Sequence, residues 1–488
     1  SVVRPFSCGI GGGGFMLIAG PNLDPVALNY REVAPSAVNK KFYLQNSSRF
    51  GRTAIGVPGT VSGLLTAHEK YGHLPLSIVM APAIRLANDG FAIDDAYRLA
   101  LNSASSSFNA NPDILHLKNL FLDIFANRDH VILEGQAKVL ELISINGKAG
   151  FYSGAVAEAI VTATDGFITL DDLEGYAPSW ETPLLAYSNN NIDIYAMPPP
   201  SSGGVAIGQI ISLMEYSGGF NYDLSSPTYN HLLSESMKHA FADRAVHMAD
   251  PAFAHVPVDD LLDKDYLRST ASRINLQTTQ ESSEYGSSPQ LPEDEGTSHL
   301  CVVDEAGMVV VATETINTSF GSLAVASPYD FLLNNEMDDF SSLEGANVYG
   351  LVQSDKNLPE PGKRPLSSMT PVILMKDKMP ALLVGASGGP RIITSVVQSL
   401  LNNQWHNFDP IKAIARGRLH HQWKPNVVYV EELSKKAIPT NELELLGHEV
   451  RVRPTVGVVQ MIEIRANGLQ LPASDPRKGG RPAGINAN

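Results

Sequence analysis

Two short hairpins, apolar on both faces, constrain this chain more than any other feature. Leu300-Cys301-Val302-Val303, the turn Asp304-Glu305-Ala306-Gly307 and the run from Met308 to Ile316 spell strand, tight turn, strand. Pro371 to Leu374 and Ala381 to Val384, on either side of Lys376-Asp377-Lys378, repeat the pattern. Strands that are apolar on both faces must be covered on both faces, which predicts a sheet inside a layered α/β body. Ahead of the first hairpin, from about Gln277 to Gly296, the chain turns to Gln, Ser, Glu and Pro, the composition of an exposed, flexible loop.

The first half is mixed and more helical. A glycine cluster after Cys8 runs into Phe15-Met16-Leu17-Ile18, a strand-like stretch. Helical spacing recurs from about Thr60 to Gly90, from Ala155 to Thr164 and from Tyr229 to Met248. A length of 488 residues suits several domains or one large layered body, and we read one body. With 43% apolar and 18% charged residues, the chain has globular composition. A net charge of −15 without a basic run excludes nucleic acid as a partner. Cys8 and Cys301 are the only cysteines, which excludes a disulfide framework or a cysteine-rich metal site, and no cofactor is expected. There is no apolar run of about eighteen residues, and Ser1 to Pro5 lacks the shape of a secretory signal, so the chain as given is expected to be soluble. Asn46-Ser47-Ser48 is a glycosylation acceptor if the protein is secreted.

Two motifs point elsewhere. Gly9 to Gly14 satisfies G-x-G-x-x-G, but a dinucleotide fingerprint needs a strand before it and a helix after it, and here a strand follows. A glycine turn that lets backbones approach closely accounts for it better. Gly385-Ala386-Ser387-Gly388-Gly389 satisfies G-x-S-x-G between an apolar strand and a helical stretch. It raises a rival serine hydrolase, with Ser387 as nucleophile, an acid such as Asp409, and His420, His421 or His448 as base. Nothing upstream shows the strand–helix alternation that such a hydrolase needs.

The chemistry centres on Gly296-Thr297-Ser298-His299, where the polar loop meets the buried hairpin. Gly296 can take backbone angles closed to other residues and so present the bond before Thr297 to the threonine hydroxyl. Cleavage there frees an α-amine with a pKa of about 7.7–8.0, which can take the proton of the hydroxyl beside it. A hairpin centred on Ala306 sets Thr315 opposite Thr297, at a Cα separation of roughly 4.5–5.5 Å. Thr315 and Asn317 could then orient the nucleophile and its amine. Gly388 and Gly389, at a strand-to-helix junction, could turn backbone N–H groups toward a developing negative charge.

These pieces, in this order, resemble the γ-glutamyltransferase (γ-glutamyl transpeptidase, glutathione hydrolase) family of N-terminal-nucleophile hydrolases. The resemblance runs nearly end to end. Before the nucleophile it includes Arg31-Glu32-Val33-Ala34-Pro35, Gly56-Val57-Pro58-Gly59 and Met197-Pro198-Pro199-Pro200-Ser201-Ser202-Gly203-Gly204. After Gly296-Thr297-Ser298-His299 come Thr315-Ile316-Asn317, Asn334-Asn335-Glu336-Met337-Asp338-Asp339-Phe340 and Pro365-Leu366-Ser367-Ser368-Met369. Gly388-Gly389 and Asp475-Pro476-Arg477-Lys478-Gly479-Gly480 complete it.

The resemblance implies a four-layer αββα sandwich formed from one precursor. That precursor is cut into a large portion, residues 1–296, and a small subunit, residues 297–488, which stay together as a heterodimer. It implies Thr297 as nucleophile, Thr315 as its positioning partner, and Gly388 and Gly389 at the oxyanion. Arg31, Ser367 and Ser368 would hold the donor's α-carboxylate, and Asn317, Glu336 and Asp339 its α-amine. Tyr349, in Asn347-Val348-Tyr349-Gly350, resembles the residue that closes a lid over the substrate in many bacterial members. Donors would be glutathione and other γ-glutamyl compounds; acceptors would be water, amino acids or dipeptides.

Members usually carry a further N-terminal segment with a signal or anchor, so a shortened precursor and a place in the secretory pathway, extracellular or at the cell surface, are expected. Two rival activities share part of this evidence: a glutaryl β-lactam (cephalosporin) acylase of the same fold, and an inactive homologue that only binds. An acylase has no amine to clamp, so Glu336 and Asp339 speak against it.

Overall fold

The computed structural model describes residues 1–126, 129–189, 191–285, 296–341, 354–434 and 437–484. Two antiparallel sheets form its centre. The first has the strand order Ser179–Glu181, Leu23–Tyr30, Gly13–Gly20, Val309–Thr315, Ser298–Val303. The second has the order Gln470–Ser474, Val458–Ile464, Met379–Ser387, Val372–Lys376, Asp193–Ala196, Leu184–Ser188. Both sheets draw strands from either side of Gly296, so neither can be completed by residues 1–296 or 297–488 alone.

Alternation along the strands builds the layers. Phe15 and Leu17, with Val309 and Val311, point inward and join Val372, Leu374, Leu382 and Val384 of the second sheet in one core. Their neighbours Met16 and Ile18, with Leu28, Tyr30 and Ala312, face outward toward Ala67 and Tyr71 of helix Thr60–Tyr71. On the far side, helices Gly203–Tyr216 and Arg391–Gln404 cover the second sheet, and helix Pro227–His247 packs against the first of them. The sandwich is αββα, as expected.

Local signals explain where elements begin and end. The helical stretch expected from Thr60 to Gly90 is two helices, Thr60–Tyr71 and Leu76–Asp89, because the chain breaks at Gly72 and restarts after Pro75. Helix Pro227–His247 starts with proline in its first turn, and the Ser226 hydroxyl accepts the Tyr229 N–H at 3.1 Å. Of the expected loop before Gly296, residues 286–295 lie outside the described residues.

Candidate active site

Thr297 is buried at the entry to strand Ser298–Val303. The hairpin register, with Ser298 opposite Glu314 and His299 opposite Thr313, brings Thr315 to its side. The chain runs unbroken through this point, and the two hydroxyls converge on the Gly296 carbonyl. Thr315 Oγ donates to that oxygen at 2.9 Å and stands 3.4 Å from Thr297 Oγ, which itself contacts the same oxygen. Asn317 adopts φ 72°, a left-handed turn that asparagine tolerates, and its N–H returns to Thr315 Oγ at 2.7 Å. That donor leaves the Thr315 hydroxyl proton to Gly296. From the other end of the chain, Lys478 Nζ donates to the Thr297 carbonyl at 3.1 Å and to Ser7 Oγ at 3.1 Å.

The reason for glycine at 296 is space rather than backbone angle. Gly296 is not among the positive-φ glycines, but a Cβ there would lie 2.5 Å from the Thr318 carbonyl carbon. Close approach also explains the Gly9–Gly14 cluster: a Cβ on Gly12 would lie 2.0 Å from the Thr315 carbonyl oxygen. The Gly12 carbonyl in turn accepts the N–H groups of Gly59 and Thr60 at 2.7 and 2.9 Å, anchoring the start of the first helix.

Beside the threonines lies a buried ion cluster. Arg31, just past strand Leu23–Tyr30, is 1% exposed. Its Nη2 donates to Asp339 at 2.6 Å, and its Nη1 pairs with Glu336 and stands 3.6 Å from Glu32. Glu336 and Asp339 come from a short 3₁₀ turn held by Asn334. The Asn334 side chain accepts the N–H groups of Gly56 and Glu336 and donates to the carbonyls of Gly11 and Gly56, which uses its full bonding capacity. Burial pushes the Glu32, Glu336 and Asp339 carboxyls above their usual range while Arg31 pulls them down. Burial opposes the Arg31 charge as well, but the three carboxyls outweigh it and raise its pKa. An arrangement of several carboxyls around one guanidinium suits a ligand that brings its own ammonium and carboxylate.

The remaining wall comes from two motifs in contact. Ser202 N and Oγ both donate to the Ser367 carbonyl at 2.8 Å, Ser201 Oγ donates to the Met369 carbonyl at 2.8 Å, and Ser367 N donates to Pro200 O at 2.9 Å. These bonds hold the Ser367-Ser368 segment, bridged to Ser201, beside Thr297. Gly388 and Gly389 adopt φ 128° and 57°, in the region that favours glycine, just before helix Arg391–Gln404. One small pocket is lined by Thr297, Thr315, Asn317, Arg31, Glu336, Asp339, Ser367, Ser368 and Gly389. Gly388 stands next to it in the chain. Tyr349 lies outside the described residues.

The rival serine triad is not assembled. Asp409 spends its carboxylate capping helix Pro410–Ala415, accepting the Lys412 N–H at 2.9 Å. His420 is bonded to Thr394 Oγ and Gln422 Oε1, His421 Nδ1 accepts the Trp423 N–H, and His448 is 2.7 Å from His231.

Sequence reasoning missed Glu32, Lys478 and Arg244 as neighbours of the site. Glu32 and Lys478 stand inside two of the ordered motifs, beside Arg31 and Arg477. Arg244 lies on a helix buried almost all round, so no polar stripe marks its face. Away from the pocket, His231, Glu235 and His448 place ligand-type atoms within 4.8 Å of one another. Glu235 already receives Lys238 Nζ at 3.1 Å, the Thr279 hydroxyl at 2.6 Å and the Tyr285 hydroxyl. Those donors engage both carboxylate oxygens, and His231 bonds to His448 at 2.7 Å, so the cluster joins the Pro227–His247 helix to the chain that follows Thr297.

The layered sheets and the covering helices are those of the N-terminal-nucleophile hydrolases. The same fold is seen in the crystal structure of cephalosporin acylase from Bacillus halodurans, with a TM-score of 0.85 at 23% identity, over 100% of this chain and 89% of that one. At that identity the likeness concerns the fold alone. The family model for gamma-glutamyltranspeptidase matches residues 1–485. The glutathione hydrolase proenzyme of Escherichia coli (strain K12) is 37% identical over 98% of this chain and 84% of its own length. That of Pseudomonas aeruginosa is 39% identical over 99% and 88%. This chain belongs to the γ-glutamyltranspeptidase family.

Proposed function

We propose that this protein is a γ-glutamyl transferase and hydrolase that cleaves the γ-glutamyl amide of glutathione and related compounds. The observation that carries this reading is the convergence of Thr297 and Thr315 on the Gly296 carbonyl, in one pocket with the Arg31, Glu336 and Asp339 cluster. In self-cleavage, Thr297 Oγ attacks the Gly296 carbonyl carbon, and the Thr315 hydroxyl stabilises the charge that develops on its oxygen. The acyl group moves from nitrogen to oxygen as the hydroxyl proton passes to the departing nitrogen, which frees the Thr297 amine; water then hydrolyses the ester, releasing the Gly296 carboxylate and restoring the Thr297 hydroxyl.

In turnover, that amine takes the hydroxyl proton while Oγ attacks the donor's γ-carbonyl. The N–H groups of Gly388 and Gly389 receive the oxyanion. The leaving amine departs with a proton, and a γ-glutamyl ester remains on Thr297. Water or the amine of an amino acid or dipeptide resolves the ester. Arg31, Ser367 and Ser368 take the donor's α-carboxylate. The α-ammonium goes to Asn317, Glu336 and Asp339, adding a second cation to acids that already pair with Arg31. A glutaryl donor would bring no ammonium to those acids, which disfavours the acylase reading. The fragments 1–296 and 297–488 remain joined as a heterodimer through the shared sheets, and the protein works in the secretory pathway.

Denaturing electrophoresis with intact mass, run beside release of a chromogenic amine from a γ-glutamyl anilide, tests this reading. Two fragments and amine release are expected. A single uncut chain that still turns over the anilide would refute the mechanism.

A further inference from the structure

The pocket contains a second guanidinium. Arg244, in the last turn of helix Pro227–His247, is 3% exposed and lines the same cavity as Thr297, Arg31, Asp339 and Ser368. Its Nε donates to Ser202 Oγ at 2.9 Å, and the Ser202 hydroxyl donates onward to the Ser367 carbonyl at 2.8 Å. This relay fixes the guanidinium relative to the Ser367-Ser368 segment. Its Nη1 is buried without a hydrogen-bond partner, and so is Ser368 Oγ. Two unmatched donors, beside the unmatched Glu336 Oε1, line one buried pocket, and such groups suit a polar ligand, since buried donors are costly to leave unpaired.

Arg31 stands in a different condition. Its Nε faces the Pro365 carbonyl at 3.3 Å, its Nη2 faces Asp339 at 2.6 Å and the Leu366 carbonyl at 3.4 Å, and its Nη1 faces Glu336 and Glu32. Every side of that fork already meets an acceptor, whereas Arg244 brings an unused N–H to the same space. Burial lowers the pKa of Arg244 to about 10, with Asp339 opposing, so the group keeps its charge at neutral pH.

We propose that Arg244 is a second donor-binding residue, whose Nη1 holds the α-carboxylate of a γ-glutamyl donor together with Ser368 Oγ. Arg31 then shares that carboxylate and keeps Glu336 and Asp339 placed for the ammonium. The inference rests on the γ-glutamyl reading and deepens it: the anion of the donor is gripped by two cations rather than one.

The test compares two anilides, one with a free α-carboxylate and one with that group amidated, on the parent, Arg244→Gln and Arg244→Lys. Self-cleavage, read on a denaturing gel, reports folding independently of donor binding. In Arg244→Gln, KM for the free-carboxylate donor should rise about 10- to 100-fold, kcat should change less, and the amidated donor should be affected about twofold or less. Arg244→Lys keeps the charge and should recover part of the carboxylate preference; it also serves if the Gln variant does not cleave. Ser368→Ala should lower the same preference. Equal losses for both donors in the Gln or Lys variant, or an unchanged KM, would overturn the assignment. A parent that cleaves itself but turns over neither anilide would instead remove the γ-glutamyl reading, and this inference with it.

Discussion

The Thr315 hydroxyl stands 3.4 Å from Thr297 Oγ and donates at 2.9 Å to the carbonyl of the peptide bond that precedes Thr297. One side chain thus touches both the attacking oxygen and the oxygen on which charge develops. The hairpin register creates this contact, and the Asn317 N–H orients the hydroxyl that makes it.

Thr297→Ala should leave one uncut chain without activity. Thr315→Val, which keeps the volume and removes the donor, should cleave itself about a hundredfold more slowly, the usual cost of losing one oxyanion donor. Time courses on denaturing gels would measure both. A Thr315→Val protein that matures at the parental rate would show that the 2.9 Å bond has no part in cleavage.

Ser387→Ala should retain substantial activity. Ser387 merely precedes Gly388 and Gly389, and Asp409, His420, His421 and His448 are committed elsewhere. Mass spectrometry of a trapped acyl-enzyme should find the adduct on Thr297. An adduct on Ser387, with Thr297 left unmodified, would establish the serine mechanism.

Arg31→Lys should raise KM for a γ-glutamyl anilide by about 10- to 100-fold, because one ammonium cannot reproduce a guanidinium fork. Much of that grip is present before the transition state, so kcat should fall less than kcat/KM. Self-cleavage should survive, since no donor is bound then. Asp339→Asn should weaken donors with an α-amine far more than a glutaryl donor. Equal losses on the two donors, or a glutaryl donor preferred by the parent, would sink the amine clamp and promote the acylase.

His420 titrates in a calculable direction. Burial lowers its pKa to about 3 from an ordinary value near 6.5, so between those values the unfolded chain binds a proton that the folded protein refuses. Its contribution to stability is therefore present above pH 6.5 and lost as pH falls, by up to about 1.4 kcal/mol per pH unit. His420→Gln has nothing to titrate. The difference between parent and variant in denaturant unfolding should shift against the parent from pH 7 to pH 4. A difference that stays constant over that range would mean that His420 is protonated in the folded protein.

The sequence by itself determined the parts whose partners are near in the chain. The hairpin that pairs Ser298 with Glu314 is written in strand alternation around one tight turn, so the neighbourhood of Thr297 and Thr315 was legible before any fold was known. The second two-faced apolar hairpin, Val372–Lys376 with Met379–Ser387, is covered on both faces as its composition required, whereas Ser298–Val303 is an edge strand with Leu300 and Val302 exposed, and the ordered motifs led to the family. Only the tertiary structure decided which distant groups meet. Arg31 and Asp339 are 308 positions apart, and Arg244 reaches the pocket from a helix on another layer. It also decided that Asp409, His420, His421 and His448 are bonded elsewhere rather than to Ser387, although the motif at Ser387 was as good locally as the one at Thr297, and that Gly296 is required by the backbone of Thr318. The physical reason is the same throughout. Alternation and turn residues encode contacts along one strand or helix, whereas ion pairs and close approaches depend on strand order and on how the layers stack.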